Sequence, residues 1–309
     1  MRLIGLSCGP AGGSSEILLK AALAAAEDEG VEVLHVRLAD LRLSTAPVSP
    51  GPGGPDDDAP WFFDQLMESD GLIISAPVLN RTIPGSLKVL LDRLLGPKAD
   101  VAFALEYRRM REAGQAAAVR FPCDERVLRP RVGGFLAVGG ALTDRWKTLA
   151  LPLMHHMTFS MQIGIADQAL FGGAGVPGAI ALDDVALERA ARLGRNVAQQ
   201  AGRGFDDVEF RGDPGLCPMC HLDVITLRGT AVECATCGAE GELAGSEVRF
   251  TPEGCAKSVL SIAEKHEHFL EVQETAAQQF ARAGEIEERA ARHRALHRLV
   301  APGRPVAAG

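Results

Sequence analysis

The chain has 309 residues, 47% of them apolar and 23% charged, and 32 basic against 40 acidic side chains give a net charge of −8. At roughly 150 residues per domain the length suits about two domains, and the composition excludes a disordered or collagen-like chain. The acidic balance argues against a nucleic-acid coat, which needs a basic surface.

Residues 2–8, RLIGLSC, read as a first strand that breaks into glycines. The run is too short for a secretory signal, so a cytoplasmic protein is expected. Ser14 or Ser15 is expected to cap a helix that closes at Gly30. A second strand follows at 31–38, and the Pro-, Gly- and Asp-rich stretch 47–60 reads as loop. A helix is expected over 59–69. Residues 71–77, GLIISAP, form a continuous apolar run, as a strand buried on both faces should. A helix opening on Pro84 runs to 95. Residues 97–130 read as a partly helical insertion carrying Cys123, and strands follow at 132–138 and 162–171. The window 148–166 lacks Asp, Glu, Lys and Arg but holds two His, a Gln, a Ser, two Thr and a Pro. It reads as a buried helix running into a buried strand rather than a membrane span. A helix over 182–202 closes the pattern.

This alternation specifies an α/β fold: a doubly wound parallel five-stranded sheet in the order 2-1-3-4-5. It occupies residues 1–204. A four-cysteine module is expected over 205–251 and a helical tail over 252–309, with one long helix at 258–300 or two broken near Gly284.

Three loops at the carboxyl ends of strands could carry chemistry, because ligands of open α/β sheets bind there. The loop 7–15 combines small residues, a following helix N-terminus and the hydroxyls of Ser7, Ser14 and Ser15, which together suit an anion. The loops 75–85 and 139–146 offer backbone donors to a planar heterocycle. Residues 173–178 match G-x-G-x-x-G, but Pro177 delays the next helix to about Asp183, so no dinucleotide fingerprint is expected.

Cys217 and Cys220, thirteen further residues, then Cys234 and Cys237 form two C-x-x-C knuckles. Four thiolates at that spacing need a cation, and the pattern resembles a zinc ribbon. Rubredoxin-type iron is the alternative. No Phe, Tyr or Trp lies between Gly215 and Arg249 to build an aromatic shell around iron, which favours zinc. Paired C-x-x-C also suits a reducing compartment. His221 reads as a solvated turn residue. One of His155 and His156 is expected to face the core. His293 and His297 share a helix face, His266 and His268 do not, and Cys8, Cys123 and Cys255 have no assigned role. Six arginines from Arg282 to Arg304 suggest a subunit contact.

The text LIGLSCGPAGGSSEILLKAAL, then SDGLIISAPVLNRTIPGSLKVLLDRL, then GGFLAVGGALT resembles the NADPH-dependent FMN reductase and flavodoxin-like quinone reductase family, with its iron–sulfur flavoprotein relatives. The resemblance covers about residues 1–203. It implies a flavodoxin-like fold and a bound FMN that takes hydride from NAD(P)H. The electrons then pass to a small-molecule acceptor: a quinone, a nitro or azo compound, free flavin or a pathway intermediate. It also implies a homodimer or homotetramer with the flavin near a subunit interface. By position, Ser7, Gly9, Ser14 and Ser15 would cradle the FMN phosphate. Pro77, Val78, Leu79, Asn80, Arg81 and Thr82 would line the ring edge, and Gly139 and Gly140 its pyrimidine side. Asn80, Arg81 and Thr82 are the expected catalytic residues. The chain departs from the family at Ala11, where a basic residue is usual, at Ser14, where Asn is common, and at Leu79, where Tyr is common. Trp146 could supply the missing aromatic face. Two rival readings remain: an electron carrier with FMN and an iron-loaded four-cysteine site in series, and a degenerate flavodoxin-fold module that docks a protein partner.

Overall fold

The computed structural model describes residues 1–44, 56–94, 96–115 and 123–294. Most of the expected loop at 47–60, residues 116–122 of the insertion, and everything beyond Arg294 lie outside the described residues, including His297, Arg298, Arg304 and the end of the expected tail helix. The chain divides into two units, 1–265 and 266–309.

In chain order the first unit begins β1 (Arg2–Ser7), α1 (Ser14–Asp28), β2 (Glu32–Arg37), α2 (Ala59–Met67), β3 (Gly71–Pro77) and α3 (Gly85–Leu94). It continues with α4 (Val101–Glu112), β4 (Val132–Val138), α5 (Ala150–His155), β5 (Gly164–Phe171) and α6 (Asp184–Ala198). The five strands form one parallel sheet in the order β2-β1-β3-β4-β5, as the sequence pattern predicts. The charge-free window resolves into α5 and β5, and among the described residues no helix is long and apolar enough to cross a membrane.

Side chains alternate across each strand, so the sheet carries two cores. On one face Leu3, Ile73 and Leu136 pack against Leu18, Leu19 and Ala22 of α1 and Leu193 and Val197 of α6. The helices cross so closely that a Cβ on Gly194 would lie 1.9 Å from the Ala22 carbonyl oxygen, so this position requires glycine. On the other face Ile4, Leu72 and Phe135 pack against Phe62 and Leu66 of α2, Leu87 and Leu90 of α3, and Met154 of α5. Arg131, 1% exposed just before β4, donates to the carbonyls of Leu66 and Met67, where α2 ends, and to those of Arg126, Val127 and Arg129. A buried cation thus supplies donors where a helix end leaves carbonyls without intrahelical partners, and the Leu66 carbonyl accepts from Ser69 as well.

A small antiparallel sheet follows: β6 (Ile225–Arg228), β7 (Ala231–Cys234), β8 (Glu240–Ala244) and β9 (Glu247–Phe250), paired in that order. Cys234 of β7, with Cys217, Cys220 and Cys237 from the neighbouring loops, joins the same core as Phe135 and Met154. The chain then forms α7 (Pro252–Ala256), α8 (Ile262–Ala281) and α9 (Ala283–Arg294). The break falls at Arg282, two residues before the expected Gly284. In α8 only Lys265 is buried, and in α9 no residue is.

Two local expectations are corrected. Helix α1 starts at Ser14 with Gly13 as its cap, and neither serine hydroxyl caps it. The serines therefore lie inside the first turn. His221 is half-buried rather than free in solvent: it adopts φ 57° and stacks on Phe210 with ring centroids 3.8 Å apart.

Candidate active site and cysteine centre

A cavity of about 560 Å³ opens at the carboxyl ends of β1, β3, β4 and β5. Loop 8–15 forms one wall. Gly12 takes φ +69°, and the Gly13 N–H donates to the Pro10 carbonyl at 3.0 Å, closing the turn. The first helical bond runs from the Ile17 N–H to Gly13, so the amides of Ser14, Ser15 and Glu16 have no acceptor within α1. The Ser14 hydroxyl is buried and has no hydrogen-bond partner. A Cβ on Gly9 would meet the Ser15 hydroxyl at 2.3 Å, so only glycine leaves this part of the wall open. The loop is anchored from below: the Cys8 N–H donates to Ser75 at 2.9 Å, and the Ser75 hydroxyl donates to the Ser15 carbonyl at 2.7 Å.

Ser7 does not reach this wall. It is fully buried, and its hydroxyl pairs with His35 Nε2 on β2 at 3.0 Å. A charge network that the sequence did not reveal shapes the loop instead. Glu16, 1% exposed, accepts the Gly12 N–H at 3.1 Å and pairs with Arg37 at 3.2 Å and Lys20 at 2.7 Å. Hydrogen bonds from Arg37, then from Lys20, hold its carboxyl down at about 2. The Gly12 turn is therefore clamped by a carboxylate whose charge is already matched.

Pro77, Val78 and Leu79 line the cavity, joined by Pro84 and Ser86. Asn80 and Arg81 do not. They take φ 48° and 71° as the two central residues of a tight exposed turn, closed by paired bonds between Leu79 and Thr82 at 2.9 Å. The Thr82 hydroxyl is spent on the Leu79 carbonyl at 3.1 Å. The turn stands at the rim.

Gly139 and Gly140 form the facing wall. A Cβ on Gly139 would press on Val78 and Lys147 at 3.3 Å, and one on Gly140 on the Gly175 backbone at 3.3 Å. Trp146 is 58% exposed and lies off the wall. Behind Gly139 sits Lys147, which is buried and pairs with Asp144 at 3.2 Å. The loop 174–177 completes the enclosure. It belongs to the G-x-G-x-x-G stretch, and no helix opens inside that motif, as expected. Its role as a wall depends on where β5 lies in the sheet, which the motif does not encode.

Three unpaired amides at a helix N-terminus, an orphaned buried hydroxyl and a glycine-lined approach suit a phosphate. Among the described wall residues none is Lys or Arg, so backbone dipoles would carry the charge. Val78, Leu79, Val138 and Val176 with the glycine edges suit a flat ring. The residues present therefore fit FMN.

The four cysteines form a second site. Their sulfurs all lie within 4.8 Å of one another and are buried. Cys217 and Cys237 approach to 3.5 Å, Cys220 and Cys234 to 3.4 Å. A tetrahedral centre with metal–sulfur bonds of roughly 2.3 Å needs sulfurs ~3.8 Å apart, so the set fits with little movement. Each knuckle turns through a left-handed residue, His221 in the first and Gly238 in the second.

The sequence pattern of the NADPH-dependent FMN reductase family matches residues 1–158. A flavone synthase of Aspergillus candidus is 39% identical over 259 residues, covering 79% of this chain and 78% of its own. An iron–sulfur flavoprotein of Methanocaldococcus jannaschii is 29% identical over 211 residues, covering 64% of this chain and 96% of its own. Among solved structures, a flavone reductase superposes with a TM-score of 0.82 at 25% identity, over 98% of this chain and all of that one. Sheet order, cavity and matched sequence agree: the chain belongs to the NADPH-dependent FMN reductase family and is an FMN-dependent oxidoreductase.

Proposed function

We propose that the protein passes a hydride from NAD(P)H, through FMN, to a planar conjugated carbonyl compound of the flavone type. The observation that carries this reading is the two-part cavity: free helix amides and the orphan Ser14 hydroxyl at one end, apolar side chains and glycine edges at the other. The name of the flavone reductase among the solved structures supplies the acceptor class.

Bound FMN supplies hydride transfer at N5, so no protein nucleophile is needed. The chain's part is placement. The amides of loop 8–15 with the hydroxyls of Ser14 and Ser15 hold the phosphate, and Gly9 gives it room. Pro77, Val78 and Leu79 with Gly139 and Gly140 would hold the ring between them. Ser7 supports the loop through His35, and the Asn80–Arg81–Thr82 turn acts at the rim, where the acceptor enters. Among the described wall residues there is no carboxylate, imidazole or ammonium group. Hydride added to the β carbon of a conjugated carbonyl leaves an enolate whose charge rests on its own oxygen, and with no acidic side chain among the described wall residues the proton at the α carbon would come from solvent.

The four cysteines hold zinc in a structural role, which their burial in an apolar core supports. None of the seven cysteines is in a disulfide, which suits a reducing cytoplasm. The exposed Leu79, Leu142 and Val176 near the mouth suit cover by a second subunit.

The test is purification without added cofactor, followed by FMN and metal determination and NAD(P)H oxidation with flavone, quinone and azo acceptors. One FMN and one zinc per chain, with flavone preferred, is the expected result. Iron in the cysteine site would favour an electron carrier, and failure to bind FMN would refute the reading.

A further inference from the structure

Gln168 lies on β5, the edge strand of the large sheet, with its side chain 4% exposed. Its Nε2 donates to two carbonyls of the first cysteine knuckle, Cys220 at 2.9 Å and His221 at 3.1 Å. An amide aimed at two carbonyls must present its nitrogen to them, which fixes its orientation. Its Oε1 therefore accepts, and it does so from His155 Nε2 at 2.9 Å.

His155 is the last residue of α5, 3% exposed, and meets the Phe135 ring edge-on with centroids 5.1 Å apart. Burial holds its imidazole down at about 4, so it is neutral at ordinary pH. With the proton on Nε2, Nδ1 is bare, and it is a buried nitrogen without a partner. Leaving it so has a cost. The Gln168–His155 pair carries that cost.

The two elements that this pair joins also border the flavin cavity. Strand β5 runs into the wall loop 174–177, and α5 follows the wall residues Gly139 and Gly140 after the connection 141–149, which includes a 3-10 turn at Asp144–Trp146. The knuckle is the third party. Its carbonyls can be held only where the Cys217–Cys220 turn is itself held, and a bound metal fixes that turn.

We propose that Gln168, oriented by His155, is a positioning residue that couples occupancy of the four-cysteine centre to the shape of the flavin cavity. Metal binding fixes the knuckle, the knuckle fixes Gln168 and His155, and these hold β5 and α5 in the register that FMN needs. The inference rests on the metal reading above. By linkage, FMN would in turn slow metal loss.

The test uses the full chain, zinc-loaded or stripped with a chelator, with circular dichroism confirming the fold. FMN affinity is measured by flavin fluorescence in wild type, Gln168→Leu and His155→Phe, and zinc release is followed with a chromophoric chelator. In the wild type, stripping is expected to weaken FMN binding about tenfold, within the usual range of coupling between sites. In Gln168→Leu, loaded protein already binds FMN more weakly, stripping adds less than about a threefold change, and zinc release is roughly tenfold faster, as for other residues that orient metal ligands. His155→Phe keeps the packing on Phe135 and should move the same readouts in the same direction. A merely structural residue would lower the thermal midpoint of loaded and stripped protein equally. A positioning residue lowers that of the loaded protein more. Unchanged FMN affinity in stripped wild type that keeps its fold overturns the proposal. So does wild-type zinc release from both variants, which also decides the matter if stripped protein unfolds. A wild-type chain that takes up no zinc overturns the metal reading, and this inference with it.

Discussion

Ser14→Ala separates phosphate recognition from every other role of the loop. The Ser14 hydroxyl is buried without a partner in the ligand-free protein. An unsatisfied buried hydroxyl costs about 1–3 kcal/mol, so removing it should leave the ligand-free thermal midpoint unchanged or raise it. With FMN bound, the same hydroxyl would donate to a charged phosphate oxygen, a bond worth about 1.5–3 kcal/mol. Its loss should weaken FMN binding roughly 10- to 100-fold, at 1.4 kcal/mol per decade. Riboflavin lacks the phosphate and should bind the variant and the wild type alike. The assay is fluorescence titration of both flavins into both proteins, alongside thermal melts without flavin. A parallel loss of riboflavin affinity, or a lower ligand-free midpoint, would show that Ser14 serves the fold and refute the phosphate assignment.

Gly194→Ala gains about 1 kcal/mol of helix propensity. It also drives a methyl to 1.9 Å from the Ala22 carbonyl, an overpacking cost of about 3 kcal/mol or more, so a net loss of at least ~2 kcal/mol is expected in urea unfolding. Arg131→Met removes a donor from five carbonyls, three of them in fully buried bonds, and should cost at least ~3 kcal/mol; wild-type stability would show that water replaces the guanidinium. Glu16 has its carboxyl lowered from 4.5 to about 2, so its stabilising contribution is fully present above about pH 4.5 and is lost as pH falls through about 2. Glu16→Gln should flatten the acid limb of stability in that window and weaken FMN through the loosened Gly12 turn; an unchanged limb in acid melts would contradict the clamp.

The sheet order was legible because continuous apolar runs such as 71–77 and 132–138 mark strands buried on both faces, and the helices between them leave few topologies. The loop glycines and serines also marked the loop that forms one wall of the cavity. What stayed hidden depends on contacts between distant elements. Ser7 reads as a phosphate donor until β2 brings His35 beside it. Asn80 in a two-residue turn is a familiar left-handed signal, but Arg81 in the second place obscured it, so the turn read as cavity lining. The cysteine spacing announces which sulfurs meet and says nothing of what the knuckles pack on. Their place beside Phe135 and Met154 depends on where β4 and α5 run in three dimensions. The wall role of 174–177 is hidden for the same reason.

The most direct test of the account is an anaerobic titration of the FMN-loaded protein. NAD(P)H is added first and a flavone second, and the flavin absorption is followed throughout. One FMN per chain is expected, bleached by NAD(P)H and restored by the flavone with formation of its dihydro product. A protein that binds no FMN, or whose flavin NAD(P)H cannot reduce, would contradict it.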